Sequence, residues 1–90
     1  QNEVDFVVKE GHAVKQLIQV CYDISDPSTM KREVKALVLA SKELRCNNLL
    51  ILTGSAKGEE RVGNKRVKIV PLWKWMLEPL ATTKVSYRLA

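Results

Sequence analysis

Hydrophobic and polar positions alternate along two early segments of the chain. Residues 3–9 (EVDFVVK) and 14–22 (VKQLIQVCY) have the two-residue period of a β-strand. Glu10-Gly11 between them is typical of a tight turn, so the segments are predicted to form an antiparallel hairpin. Side chains on one face of the second strand are Ile18, Val20 and Tyr22, and those on the other are Leu17, Gln19 and Cys21. In the first strand Glu3, Asp5 and Val7 face away from Val4, Phe6 and Val8.

After Asp26 the apolar period lengthens to three or four residues, which predicts an amphipathic helix. Asp26 is suited to cap the first free amides, and Pro27 to occupy the first helical position. Asn47 or Asn48 is predicted to end the helix in a left-handed conformation. The apolar stripe comprises Met30, Val34, Leu37, Val38 and Leu44. The cations Lys31, Arg32, Lys35 and Lys42 lie mostly off this stripe and predict a basic outer side.

The second half begins with a continuous apolar run at 48–55 (NLLILTGS), the pattern of a central, parallel strand. A right-handed βαβ crossover follows from the order of strand, helix and strand. A Gly63-Asn64 turn precedes another strand at 65–72, and 72–80 predicts a short helix. The tail permits either a frayed end or an edge strand. These elements predict an α/β domain with a mixed sheet of about four or five strands and one main crossover helix.

Ninety residues are enough for a single small domain. Its composition, with 46% apolar and 28% charged residues, indicates that this domain is folded. No transmembrane or signal pattern occurs, so a membrane partner is not expected. Two cysteines without metal or disulfide spacing predict a reduced, cytoplasmic setting. A start at Gln-Asn-Glu suggests a piece of a longer protein. The net charge of +5 favours an anionic partner, although a solvated basic surface explains it equally well.

The hairpin, the helix and the run NNLLILT together resemble the core of the PD-(D/E)XK, or restriction-endonuclease-like, superfamily. More closely, LIQVCYDISDPSTMKREVKALVLASKEL and IVPLWKWML resemble the C-terminal domain of a group of prokaryotic, largely archaeal, AAA-type ATPases. The resemblance covers roughly Glu3 to Leu77. It implies a nuclease-like domain over 3–78, a C-terminal extension over 79–90, and a first core helix missing from the chain. The ATPase part of the same longer protein is then an implied partner.

Active members of that superfamily place an aspartate on one hairpin strand and a (D/E)-x-K pair on the next, around Mg²⁺. By this resemblance, Asp5 matches the aspartate, Gln19 stands at the second carboxylate and Cys21 at the lysine. Gln19 offers a carbonyl oxygen without charge, and a thiol with a pKa of about 8.5 is mostly neutral, so the motif is degenerate. An active alternative would bind Mg²⁺ through Asp5 and Glu3. Its lysine would be displaced, with Lys15, Lys31 and Lys35 as candidates.

The same residues also have purely structural interpretations. Glu3 and Asp5 would then be ordinary acids at the start of a strand, and Gln19 a polar side chain hydrogen-bonded across the sheet. Cys21 would be a small buried hydrophobe. His12 is predicted to be a surface turn residue, and the segment around Gly54 lacks the spacing of an ATP-binding loop.

Cations in a late hairpin and on the helix could contact the phosphates of nucleic acid. These candidates are Arg61, Lys65, Arg66, Lys68, Lys31 and Lys35. Glu59 and Glu60 dilute the charge of the hairpin, so a solvated surface is the alternative. Trp73 is predicted to pack in the core rather than to stack on a base.

The leading prediction is a nuclease-like accessory domain of an AAA-type ATPase, with a degenerate site and a binding or regulatory role that could involve DNA. Two alternatives stay open. One is an active Mg²⁺-dependent DNA endonuclease with a variant motif. The other is a structural domain that forms a homo-oligomer.

Overall fold

A computed structural model describes residues 4–77 and 86–89 of the chain. The strands are β1 (Phe6–Glu10), β2 (Ala13–Val20), β3 (Leu49–Thr53), β4 (Gly58–Val62), β5 (Lys65–Pro71) and β6 (Ser86–Leu89). The helices are α1 (Pro27–Leu44) and α2 (Leu72–Leu77). The predicted α/β class with one main helix is confirmed. None of the helices within the described residues is long and apolar enough to cross a membrane.

The strands form one mixed sheet in the order β4-β5-β3-β2-β1-β6. Strands β2, β3 and β5 are parallel, and the remaining pairs are antiparallel. All residues of β3 are buried, as expected for the central strand of a parallel group. The described sheet has six strands, more than the four or five predicted, because β6 pairs with β1 at one edge and β4 forms the other.

Two-residue turns close both hairpins, and each has a glycine at its first position. Gly11 joins β1 to β2 with a φ of 63°, and Gly63 joins β4 to β5 with a φ of 61°. A positive φ at this position matches the right-handed twist of the two strands and costs little for glycine. Both predicted hairpin turns are therefore confirmed, although the first lies at Gly11-His12 rather than at Glu10-Gly11. The pairing of β1 with β2 also shifts register between Val8 and Lys9.

Helix α1 begins as predicted, since the Asp26 carboxylate accepts a hydrogen bond from the Ser28 N–H at 2.9 Å and Pro27 is the first helical residue. The predicted left-handed end at Asn47 or Asn48 is wrong. Arg45 has φ 55° and ψ 50°, and the helix is closed by a backbone bond back to Ser41. Cys46 is already buried in the core and β3 starts at Leu49, so the chain has to leave the helix before the asparagines.

The sheet separates two apolar clusters. The larger lies under α1 and includes Leu17, Leu37 and Ile51. The smaller lies on the opposite face, where Val8, Ile18, Leu50 and Leu52 pack with Phe6, Val70 and Trp75. Val4 joins the cluster under α1, whereas Phe6 and Val8 join the other. The alternation predicted for the first strand does not extend to Val4, because pairing with β2 begins only at Phe6.

Helix α2 places its two tryptophans in different environments. Trp75 packs against the smaller cluster, whereas Trp73 is 60% exposed, so the predicted core position of Trp73 is wrong. In a single short helix, residues two apart lie on roughly opposite sides. One side of α2 contacts the sheet, and Trp75 lies on that side.

Candidate functional site

Asp5 and Gln19 meet where the antiparallel ladder between β1 and β2 ends. The Asp5 backbone N–H donates to Oε1 of Gln19 at 2.8 Å, and Oδ2 of Asp5 accepts from the Val20 N–H at 2.8 Å. The last ladder partners are Phe6 and Ile18. Side-chain hydrogen bonds therefore continue the strand pairing by about one residue beyond the backbone ladder. Both residues thus have a structural role, as the alternative interpretation of the sequence allowed.

Helix α1 adds a carboxylate to these two motif positions. Nε2 of Gln19 donates to Oε1 of Glu33 at 2.9 Å, and Nη2 of Arg32 lies 3.9 Å from Oε2 of Glu33. Gln19 is only 4% exposed, so its amide joins the hairpin to the helix from within the protein. Sequence reasoning missed Glu33. The available signal was its position three residues after Met30 and four before Leu37, on the border of the apolar stripe.

An amide at position 19 fits its two neighbours in a way that a carboxylate would not. Its oxygen accepts from the Asp5 N–H, and its nitrogen donates to Glu33. An ionised glutamate has acceptors only, so at this position it would face Glu33 as a second negative charge. Gln19 thus satisfies both contacts as a neutral group.

Cys21 follows on the same side of the strand and is half-buried. Its Sγ lies 3.5 Å from the Asp23 carbonyl oxygen, which it faces as a weak donor. Burial raises the pKa of the Cys21 thiol, and the negative charge of Glu33 raises that pKa further against an opposing effect of Arg32. The group at the lysine position is therefore a neutral thiol near pH 7, without the positive charge that a lysine would supply.

The structure places the alternative lysines away from Gln19. Lys15 lies 3.7 Å from Glu10 near the turn between β1 and β2. Lys31 and Lys35 line a cleft of about 300 Å³ between α1 and β4. Glu3, the weaker metal candidate, lies outside the described residues. Within the described part of the chain, no three histidine, cysteine, aspartate or glutamate side chains are grouped as a metal site would require.

The six candidate cations for nucleic acid divide between the two faces of the sheet. Val67 and Ile69 belong to the cluster under α1, so the alternate residues Arg66 and Lys68 lie on the opposite face. Arg61 pairs with Arg66 in the ladder and shares that face. The other three, Lys65, Lys31 and Lys35, lie on the α1 side.

Arg66 and Lys68 line a shallow depression of about 430 Å³ at the amino end of the parallel strands. Asn47, Asn48 and Leu49 form the rest of its wall. Nε of Arg66 lies 3.4 Å from Glu59, which partly offsets the positive charge there. Gln19 lies on the opposite face of the sheet, so the cations of the depression and the motif positions do not form one site.

Comparison with protein-family models, with curated proteins and with solved structures finds no match to this chain. The side-chain contacts of the site bring together Asp5, Gln19 and Glu33, place Cys21 beside them, and leave the six cations elsewhere.

Proposed function

We propose that the chain is a nuclease-like accessory domain of an AAA-type ATPase, with a degenerate PD-(D/E)XK site, and that it works by binding rather than by cleavage. The contacts of Gln19 carry this proposal. The residue at the second carboxylate position uses both ends of its amide to join β1, β2 and α1. Held in these bonds as a neutral amide, it adds no negative charge to a metal site.

The chemistry of the neighbouring groups supports the same conclusion. Mg²⁺ selects several oxygen ligands in a near-octahedral arrangement. Of the two neighbouring groups, only Asp5 is a carboxylate, and Gln19 offers a neutral amide oxygen that accepts from the Asp5 N–H. Cys21 adds no positive charge to stabilise a pentavalent phosphorus. Gln19 is suited to holding the hairpin against the helix, and Asp5 to extending the pairing of the two strands.

A second candidate is an active Mg²⁺-dependent DNA endonuclease, and one observation favours it. Glu33 brings a carboxylate within hydrogen-bond distance of Gln19, so Asp5 and Glu33 could supply the two anions that the motif itself lacks. This arrangement would require Gln19 to turn away and a cation to approach from outside the group. A cleavage assay distinguishes this active endonuclease from a domain that only binds.

Nucleic acid is the proposed ligand, and Arg66 and Lys68 are the proposed contacts. They lie on the sheet face opposite Gln19, beside a depression with polar asparagine side chains. Phosphates held there would be separated from the motif positions by the thickness of the sheet. Such a geometry supports binding without cleavage.

Fluorescence anisotropy with labelled DNA in EDTA tests the proposed binding. We expect binding without metal, and an affinity that falls steeply with salt because bound counterions are released. Arg66→Gln and Lys68→Gln should each weaken binding and reduce the salt slope by about one. Lys31→Gln and Lys35→Gln are matched controls that remove the same charge on the other face. Equal losses from both pairs, or no binding at low salt, would contradict the proposed surface.

Incubation of plasmid and single-stranded DNA with Mg²⁺ or Mn²⁺ tests the rival activity. The proposal predicts intact DNA with the unmodified chain. Cleavage that disappears in both Asp5→Asn and Glu33→Gln would instead support the endonuclease. Cleavage that survives both substitutions would indicate a contaminating enzyme.

A further inference from the structure

We infer that the outer edge of β4 pairs with β4 of a second copy of this chain, antiparallel, with Glu60 on the twofold axis. The inference uses the edge strand and its charges alone, so it does not depend on the proposed nuclease-like function. It identifies an interaction surface and the partner that fits it.

Strand β4 has an open outer edge, but it is short and carries three charged residues, Glu59, Glu60 and Arg61. These charges oppose unspecific pairing, so a partner strand has to complement them. Strand β4 is the outermost strand of the sheet, and all five of its residues are exposed. Its inner side pairs with β5, and no strand within the described residues pairs with its outer side. An edge of this kind offers a row of backbone donors and acceptors to another strand.

The charges on this edge are not balanced within one chain. Arg61 stands directly opposite Arg66 in the ladder, a like-charge pair that destabilises the hairpin. Oε2 of Glu59, the nearest acid on that face, lies 3.4 Å from Nε of Arg66, so its other oxygen can accept from a second cation. Arg61 has no ion pair among the described residues. A carboxylate presented from outside the edge would provide the missing partner.

One register of self-pairing supplies this carboxylate twice. With Glu60 opposite Glu60 of the second copy, each Glu59 stands opposite an Arg61, and each Gly58 opposite a Val62. A shift that moves the axis by one residue places like charges together, either Glu59 against Glu59 or Arg61 against Arg61. Each of the registers centred on Glu59, Glu60 and Arg61 places one charged residue opposite itself, and only the register centred on Glu60 also sets two opposite charges across the junction.

The α1 side of the junction is compatible with this register. The two Glu60 side chains meet there as like charges, but Lys31 and Lys35 of each copy line the same cleft as Glu60. These four cations offset the two carboxylates. Val62, which is 43% exposed, lies on this face and comes beside Gly58 of the second copy, where no side chain crowds it.

Sedimentation at a series of protein concentrations tests the pairing. We expect a reversible dimer whose dissociation constant rises about tenfold in Arg61→Glu and in Glu59→Arg, since each converts two attractive pairs into repulsive ones. The double variant Glu59→Arg/Arg61→Glu should restore the dimer, because the swap recreates both pairs. Circular dichroism of each variant checks that the fold is retained. A monomer at every concentration, or a dimer equally stable in all variants, would overturn the inference.

Disulfide cross-linking tests the register, in a background where Cys21 is replaced by alanine. Glu60→Cys should give a covalent dimer on mild oxidation, because the two positions meet on the axis within disulfide reach. Val62→Cys is the control and should stay largely monomeric, since the two positions lie four residues apart along the paired strands. Efficient cross-linking at Val62, or none at Glu60, would overturn this register.

Discussion

Gln19 is held at both ends of its amide in the interior of a small domain, so its contribution to stability exceeds that of a surface glutamine. Gln19→Leu leaves the Asp5 N–H and the Glu33 carboxylate without this partner while nearly conserving volume. We expect the free energy of unfolding to fall by about 2 kcal/mol. Urea denaturation measures the change.

Gln16→Leu is the matched control on the same strand. Gln16 makes one exposed hydrogen bond to Asn48 at 3.3 Å, and its removal should cost less than about 0.5 kcal/mol. If both substitutions lowered stability equally, the structural role assigned to Gln19 would be incorrect.

The pKa of the Cys21 thiol, and therefore its reactivity, depends on the negative charge of Glu33. Glu33→Gln removes that charge yet keeps an oxygen that can accept from Gln19, so the raised pKa of the thiol should fall. Alkylation of Cys21 by iodoacetamide near pH 8 should become faster, because the thiolate is the reactive form. Mass spectrometry distinguishes Cys21 from the buried Cys46. Glu43→Gln, on the outer part of the same helix, should leave the rate unchanged, and a slower reaction in Glu33→Gln would contradict the electrostatic account.

At the scale of elements, the left-handed backbone of Arg45 at the end of α1 has a small free-energy cost. A side chain in the left-handed region is less favourable than glycine there. Arg45→Gly should therefore stabilise the chain by about 0.5 to 1 kcal/mol. Arg45→Ala removes the same charge without relieving the backbone and serves as the control. If Arg45→Ala raised the melting temperature as much as Arg45→Gly, the lost charge rather than the relieved backbone would be the cause.

The start of α1 should make stability depend on pH. The Ser28 backbone N–H, followed by the Ser28 hydroxyl, lowers the pKa of the Asp26 carboxyl below its usual range. The cap therefore stabilises the fold fully above the unfolded carboxyl pKa of about 3.9, and this stabilisation is lost as pH falls through the lower folded value. At pH 7 the melting temperature of Asp26→Ala should be lower than that of the unmodified chain, and this gap in melting temperature should shrink on acidification. A gap that persists unchanged at pH 2 would contradict this cause.

Local signals explain why most elements could be predicted from the sequence. The N-terminal cap of α1, the glycine turns and the run of β3 depend on residues that are neighbours in the chain. The pairing of β6 with β1 depends on distant residues, and the tail carries no period to reveal it. The left-handed Arg45 could not be predicted either, because the core position of Cys46 decides it.

The candidate site was predictable only in part, for a similar reason. Alternation along the strand places Gln19 and Cys21 on one side, and the structure keeps them there. Whether Gln19 faces a metal or a structural partner depends on Glu33, which comes from the following helix. The exposed Trp73 shows the same limit, since the contact side of a short helix is set by the sheet beneath it.

For the whole molecule, the sheet separates two surfaces with different chemistry. Gln19 and Cys21 lie on the α1 side of the sheet, and the group of Arg61, Arg66 and Lys68 lies on the other face. An edge available for self-pairing adjoins both. A domain built in this way is suited to holding a ligand and a second copy at once, with its motif residues serving the fold.

Calorimetric titration of Mn²⁺ and Mg²⁺ into the chain and into Asp5→Asn tests the central claim most directly. Because Gln19 adds no negative charge beside Asp5, and no three metal-ligating side chains are grouped within the described residues, we predict that both proteins give the same negligible heat. A Gln19→Glu/Cys21→Lys variant, which restores the motif, is expected to gain metal affinity and shows that the assay detects such a site. Binding by the unmodified chain that Asp5→Asn abolishes would contradict the account and establish a working metal centre.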